Sequence, residues 1–162
     1  MSIWSIIGIV VATFTTMEGV AWLTHKYVMH GFLWYLHRDH HKKDHDHVLE
    51  RNDAFFLVFA IPSIVFFVVG TLQGLHAPWL WIGLGILLYG IAYFLVHEVF
   101  IHQRIKWLRN ANSAYFLGLR RAHKVHHKHL GKEDGECFGM LWVSIKYFRE
   151  AAQHLKAQEQ GQ

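Results

Sequence analysis

Residues His25–His41 read HKYVMHGFLWYLHRDHH, and the same arrangement returns later as HEVFIH (His97–His102) followed by HKVHH (His123–His127). Each half carries an H-x4-H box and then an H-x2-H-H box. The boxes hold ten of the fifteen histidines: His25, His30, His37, His40, His41, His97, His102, His123, His126 and His127. Beyond this pattern the halves share little residue similarity. An α-helix turns about 100° per residue, so the imidazoles of H-x2-H-H at i, i+3 and i+4 share one face. In H-x4-H they stand about 140° apart on a regular helix. Such a box is expected to reach two neighbouring ions rather than chelate one.

Four converging boxes offer about five nitrogens to each of two metals. Imidazole suits Zn, Cu, Fe and Ni, and a structural zinc takes four ligands, so two redox metals are the economical reading. The Glu-x-x-His motif of carboxylate di-iron bundles is absent. HEVFIH imitates the H-E-x-x-H of zinc proteases but is one residue too long to place both histidines on one face. A lone interfacial histidine is often only a hydrogen-bonded surface residue, but that reading does not explain the repeated spacing.

The boxes sit where apolar runs end. Ile3 to about Leu23 is apolar apart from Ser, Thr and Glu18. With no basic residues ahead of it and no small-x-small cleavage site, it reads as a transmembrane helix rather than a cleaved signal. Ala54–Leu72 is a second, uncharged span, with Asn52 or Asp53 as its cap and Pro62 as a kink site. The turn Gln73–Pro78 leads to a third span, Trp79–Val96, which can continue as helix to Ile101 and carries Trp79 and Trp81 as interfacial anchors. Ala111–Leu119 is too short to be a fourth. Phe138–Leu155 reads as an amphipathic helix with Phe138, Leu141, Trp142, Ile145, Phe148 and Ala152 on one face, suited to the membrane surface or to packing on the domain. The fold class expected is all-α: an integral-membrane bundle of three to four helices with a cytosolic, histidine-rich di-metal cap, built as one domain over residues 1–162.

Composition agrees. The chain is 52% hydrophobic and only 17% charged, against about 25% charged in soluble domains. Every Lys and Arg lies between Lys26 and Arg51 or from Arg104 onward. With three spans both regions emerge on one side, which the positive-inside rule makes cytoplasmic. The formal charge of +4 is therefore a topology signal with attraction to anionic lipid, and nucleic acid is not expected as a partner. Cys137, the lone cysteine, excludes internal disulfides, four-cysteine zinc and iron–sulfur clusters, and is expected to be a small buried residue. His45 and His47 fall in a loose charged run, His76 lies on the far side of the membrane, and His129 and His154 read as surface or outer residues. None of the five is assigned to the site.

Metal-bound histidines usually donate their other N–H to a carboxylate or carbonyl, and Asp39, Asp53 and Glu98 are placed to accept. Glu18 stands two turns before His25 on roughly the same face. At mid-span it would cost about 2.5–3.5 kcal/mol, so it is expected to point into the bundle near the site.

The set HKYVMH, HRDHH, HEVFIH and HKVHH, in that order with three spans, closely resembles the bacterial non-haem β-carotene hydroxylases of the fatty acid hydroxylase superfamily of membrane di-iron enzymes. The resemblance covers nearly the whole chain. It implies a helical membrane bundle, often with four membrane helices, and two iron ions, for which zinc can substitute. It also implies O2-dependent hydroxylation of β-ionone rings at C3, taking β-carotene through β-cryptoxanthin to zeaxanthin. Electrons would come from an external, ferredoxin-like donor, because the chain has no haem, flavin or iron–sulfur motif. By analogy, His25, His37, His40, His97 and His123 would serve one metal, and His30, His41, His102, His126 and His127 the other. The setting would be the bacterial inner membrane, with other β-ring carotenoids as further substrates and lipid as the surrounding partner. The alternatives are a fatty acid or sterol hydroxylase, a desaturase or a carotenoid ketolase. A metal transporter is disfavoured because its ligands would sit near the bilayer midplane, and a structural histidine-rich protein gives no reason for the spacing.

Overall fold

Ser2 begins the first helix by accepting the backbone N–H of Ser5 at 3.1 Å, the ordinary role of a serine N-cap. The computed structural model describes residues 1–42 and 49–161, and every regular element among these is helical. Helix α1 (Ile3–Leu23) passes without a break into a π-helical segment, π1 (Thr24–Phe32), and then α2 (Trp34–His41). A 3-10 turn (Arg51–Phe55) leads into α3 (Phe56–Gln73), which doubles back into α4 (Pro78–Phe94). A second π-helical segment, π2 (Leu95–Ile101), extends α4, and α5 (Ala114–His126) and α6 (Ile145–Gln160) complete the chain. His45 and His47 lie outside the described residues.

Three helical stretches are long and apolar enough to cross a membrane: Ile3–Phe32, Arg51–Gln73 and Pro78–Ile101. They match the three expected spans, each lengthened at its histidine end, and no fourth occurs among the described residues. Their outward faces carry large exposed apolar side chains such as Trp4, Ile61, Ile64, Leu72 and Ile91, which is the surface that lipid requires. The α3–α4 hairpin turns at Gly74, whose φ of +87° is a region that glycine enters without strain. At this far end the N-terminal amine meets His76 Nδ1 at 2.9 Å, away from the histidine boxes as expected.

Small residues let α4 lie against both neighbours. Gly83 faces the α3 backbone at Ser63 and Phe67, and Ser63 Oγ donates to Gly83 O at 3.0 Å. Gly85 faces Thr13 and the Val10 carbonyl of α1. This close approach of backbones is how membrane helices gain packing energy when lipid is as apolar as they are. Met17, Ala21, Phe59, Ile86 and Tyr89 form the core between the three helices. A second core, Leu119, Ala122, Val143 and Tyr147, joins α5 to α6.

Two local expectations are corrected. The helix expected over Phe138–Leu155 begins only at Ile145. Phe138–Ser144 is a non-helical strap, because the N–H groups of Met140, Leu141 and Trp142 donate to the Glu18 carboxylate and cannot enter a helical ladder. At the start of the second span the N-cap is Glu50 rather than Asn52 or Asp53: Asp53 accepts the Glu50 N–H at 2.9 Å from the N3 position of a capping box, and Asn52 is turned to His37. Cys137 is half-buried, and its thiol donates to the Tyr147 hydroxyl at 3.2 Å.

Candidate metal centre

The first H-x4-H box lies in π1, and the second runs from His97 in π2 to His102 at its C-cap, and this alters what they can do. The backbone N–H of His102 donates to His97 O at 2.9 Å, an i→i+5 bond. The same wider turn runs through His25 and His30. An i→i+5 ladder sets residue i+5 over residue i, so the two imidazoles of a box face the same way. The 140° separation of a regular helix does not apply, and each box serves one cluster instead of two.

Two clusters result. His25, His30, His37, His41 and His126 bring ligand nitrogens within 4.8 Å of one another, as do His40, His97, His102 and His123. The His127 ring lies between the two sets, 4.4 Å from His41, 4.5 Å from His123 and 4.8 Å from His40 between centroids. The partition differs from the one implied by analogy, and its rule is simple. The outer pair of the first H-x2-H-H box, His37 and His41, and the first residue of the second, His123, stay with the H-x4-H box of their own half. The middle residue crosses over, His126 to the first cluster and His40 to the second. Positions i and i+4 are nearly in line on an α-helix, whereas i+3 points to the other side of that line. The sequence duplication thus becomes a reciprocal exchange that ties α2 to α5.

The ring nitrogens facing away from the clusters fix the tautomers. Nδ1 of His25, His30, His41 and His126 donates to the carbonyls of Phe138, Lys132, His129 and Glu136 at 3.1, 3.2, 2.9 and 2.8 Å. His37 Nδ1 donates to Asn52 Oδ1 at 2.6 Å, His40 Nδ1 to Glu50 at 2.7 Å and His97 Nδ1 to Glu98 at 2.6 Å. A carbonyl or carboxylate cannot donate, so the proton sits on Nδ1 and each Nε2 turns a lone pair inward. These lone pairs meet head-on. His25 faces His37, His41 faces His37, His30 faces His126 and His40 faces His97, each at 3.2 Å. The Nε2 atoms of His102 and His123 also approach each other, at 2.9 Å. His127 Nε2 is buried without a hydrogen-bond partner. Two acceptors facing each other repel unless a cation lies between them. Metal–imidazole bonds of about 2.1 Å separate neighbouring ligand nitrogens by about 3.0–3.4 Å, which matches these spacings. The donor set fits two borderline transition-metal ions.

Burial keeps the imidazoles neutral and ready to ligate. It holds His37, His40 and His123 well below the usual histidine range and draws His41 to about 4 and His126 to about 3, with neighbouring imidazoles adding to the effect. His127 is lowered for the same reasons. Arg104 ties the outer carboxylates together, reaching Glu50 at 2.7 Å, Asp53 at 2.8 Å and Glu98 at 2.9 Å. Although burial opposes it, the Glu98 carboxylate and the other two hold Arg104 above its ordinary value.

Of the four acidic residues singled out in the sequence, Glu98 contacts a box histidine directly. Asp53 reaches the site through Arg104, and Asp39 accepts the Arg51 N–H at 2.6 Å. Glu18 points into the bundle, accepting the Tyr89 hydroxyl at 2.8 Å and the strap amides. Glu50 and Arg104 carry no signal in the sequence, and Asn52 reads there only as a cap. They reach the boxes through the return of the chain into α3 and out of π2, and no local periodicity marks them.

Beside the clusters lies a largely apolar cavity of about 350 Å³ between α1, α3 and α4. Ala21, Phe59, Gly90 and Phe94 form its membrane-level walls, while Asn52 and Glu98, the partners of His37 and His97, close its polar end. Tyr93 lines it and lies 5.2 Å from the His97 ring. The cavity therefore joins the hydrocarbon level of the fold to the edge of the histidine site.

Comparison with known proteins agrees with this arrangement. The chain is 41% identical over 137 residues to a beta-carotene hydroxylase of a Paracoccus species, covering 83% of this chain and 82% of that protein. It is 40% identical over 135 residues to a beta-carotene hydroxylase of Pseudescherichia vulneris, covering 83% and 75%. It is 36% identical over 130 residues to a chloroplastic beta-carotene 3-hydroxylase of an Oncidium hybrid cultivar, covering 77% of this chain and 41% of that one. No solved structure matches. The fatty acid hydroxylase family model matches residues 10–148, a stretch that includes all four histidine boxes, the second and third spans and the first from residue 10 onward, and the chain belongs to that family of hydroxylating enzymes.

Proposed function

We propose that this protein hydroxylates β-carotene at C3 of each β-ionone ring, giving β-cryptoxanthin and then zeaxanthin. The observation that carries this reading is the apolar cavity ending at the outer partners of His37 and His97. The beta-carotene hydroxylases at about 40% identity over most of the chain support it, and the plant 3-hydroxylase supports the ring position. Each hydroxyl requires one O2, two electrons and two protons. One oxygen atom enters the C–H bond and the other leaves as water.

All ten box histidines are proposed as the ligands of two iron ions, with zinc able to occupy the same nitrogens. When bound, the metals supply activation of O2. The chain supplies the rest. The Nδ1 partners lock each imidazole in its ligating tautomer. The walls at Ala21, Phe59, Gly90 and Phe94 take up the apolar end of a carotenoid, whose exposure to water costs about 0.8 kcal/mol per CH2. Tyr93 and Phe55 line the cavity and help to keep bulk water away. The whole chain acts as one domain in the bacterial inner membrane, with the boxes on the cytoplasmic side where the basic segments gather. There an external donor of ferredoxin type can deliver electrons.

The test is pigment chromatography from bacteria that accumulate β-carotene. Expression should yield β-cryptoxanthin and zeaxanthin, and His126→Ala should abolish both. Unchanged β-carotene from an iron-loaded, membrane-inserted protein would transfer the activity to a lipid or sterol substrate.

A further inference from the structure

The outer partners of the two clusters differ in charge. In the first cluster every Nδ1 ends on a neutral acceptor: the carbonyls of Phe138, Lys132, His129 and Glu136, and the Asn52 amide. In the second, His40 and His97 donate to the carboxylates of Glu50 and Glu98. Those two carboxylates and Asp53 share the single guanidinium of Arg104. Among the described residues, three negative groups against one positive leave two negative charges beside the second cluster, with the Glu50 and Glu98 side chains only 8% and 11% exposed.

A carboxylate behind an imidazole makes it a better donor to a metal, and buried negative charge attracts a dication more strongly than it would in water. Ligand number does not favour this side, since the first cluster gathers five nitrogens and the second four. We propose that the two metal sites are unequal, and that the His40–His97–His102–His123 site takes up the first divalent ion and holds it more tightly. Glu50, Glu98 and Arg104 are then positioning residues for that site alone. The carbonyl-backed site fills second and is the one that exchanges its ion.

This inference rests on reading the clusters as two metal sites, and one experiment separates the two claims. Full-length apo-protein in lipid nanodiscs is titrated with cobalt(II) against a chromophoric chelator. Wild type should show two steps at least tenfold apart. Glu98→Gln and Glu50→Gln should each weaken the tighter step about 10–100-fold and leave the looser one in place; either variant suffices if the other does not fold. His97→Ala should remove the tighter step and His30→Ala the looser. Two equal steps in wild type, or selective loss of the looser step in the Glu variants, would overturn the inequality. Uptake of fewer than two ions would instead remove the two-metal reading beneath it.

Discussion

The carboxylate of Glu18 accepts the backbone N–H of Trp142 at 3.0 Å, across 124 residues of chain. The same carboxylate accepts from Met140, Leu141 and Tyr89. The strap it holds also supplies the Phe138 carbonyl to His25, and Glu136, two residues ahead of the strap, supplies its carbonyl to His126. A charged group inside a membrane span is thus connected to two box histidines through backbone alone.

Replacing Glu18 should release the strap. Hydrogen bonds to a charged acceptor contribute about 1.5–3 kcal/mol each, and Glu18→Ala removes several. Glu18→Gln turns an amide N–H toward backbone N–H groups that need an acceptor. Both variants are expected to bind less metal and to become cleavable by protease between Gly131 and Ser144. Full metal content with an uncut strap in Glu18→Gln would refute this role.

Helix spacing should control the site at a distance. A Cβ at Gly85 would stand 2.6 Å from Thr13 Cβ, so Gly85→Ala must push α1 away from α4. Such overpacking costs about 1–3 kcal/mol. Because α1 leads to His25 and His30 and α4 to His97 and His102, thermal stability and metal retention should fall together. Thr13→Gly in the same chain should restore both, and failure of that rescue would point to a cause other than the α1–α4 distance.

Acid should destabilise the metal-free protein in a defined window. Burial lowers His41 to about 4 and His126 to about 3, while an unfolded histidine titrates near about 6.5. The folded state keeps these rings neutral where the unfolded chain takes up protons. Their contribution to stability is therefore fully present above about pH 6.5 and is lost as the pH falls toward 4 and below. Melting temperatures of the apo-protein should decline steadily from pH 6.5 to 4, and bound metal should shift the decline to lower pH. A flat profile would show that the rings are solvated.

Filling the cavity should separate catalysis from metal binding. A Cβ at Gly90 meets nothing nearer than Phe59 Cβ at 4.0 Å, so a larger side chain enters open space. Gly90→Leu is expected to keep both metals and the wild-type melting temperature while losing most carotenoid turnover, measured as product per bound metal. Undiminished turnover would place the substrate elsewhere.

Several features of this protein can be read locally. Ile3–Leu23, Ala54–Leu72 and Trp79–Val96 announce their spans because a bilayer demands an unbroken apolar run of fixed length. Lys26–Arg51 and the residues from Arg104 onward state that the boxes share one side. The ten histidines stand out because spacing along one helix is a local property. Glu98 was legible for the same reason, being adjacent to the His97 it supports.

The assignment of histidines to clusters was decided by tertiary structure. An α-helical count puts His97 and His102 on different faces, and only the π-helical turn, held by the surrounding helices, brings them together. Asn52, Glu50 and Arg104 meet His37, His40 and Glu98 through chain reversals that leave no periodic trace. The helix expected from Phe138 was lost because Glu18, far away in sequence, claims the amides that would have formed it. Sequence alone determined which residues are apolar, which can ligate and how they repeat. Which imidazole faces which, and what stands behind each, followed from long-range hydrogen bonds formed only once the helices had packed.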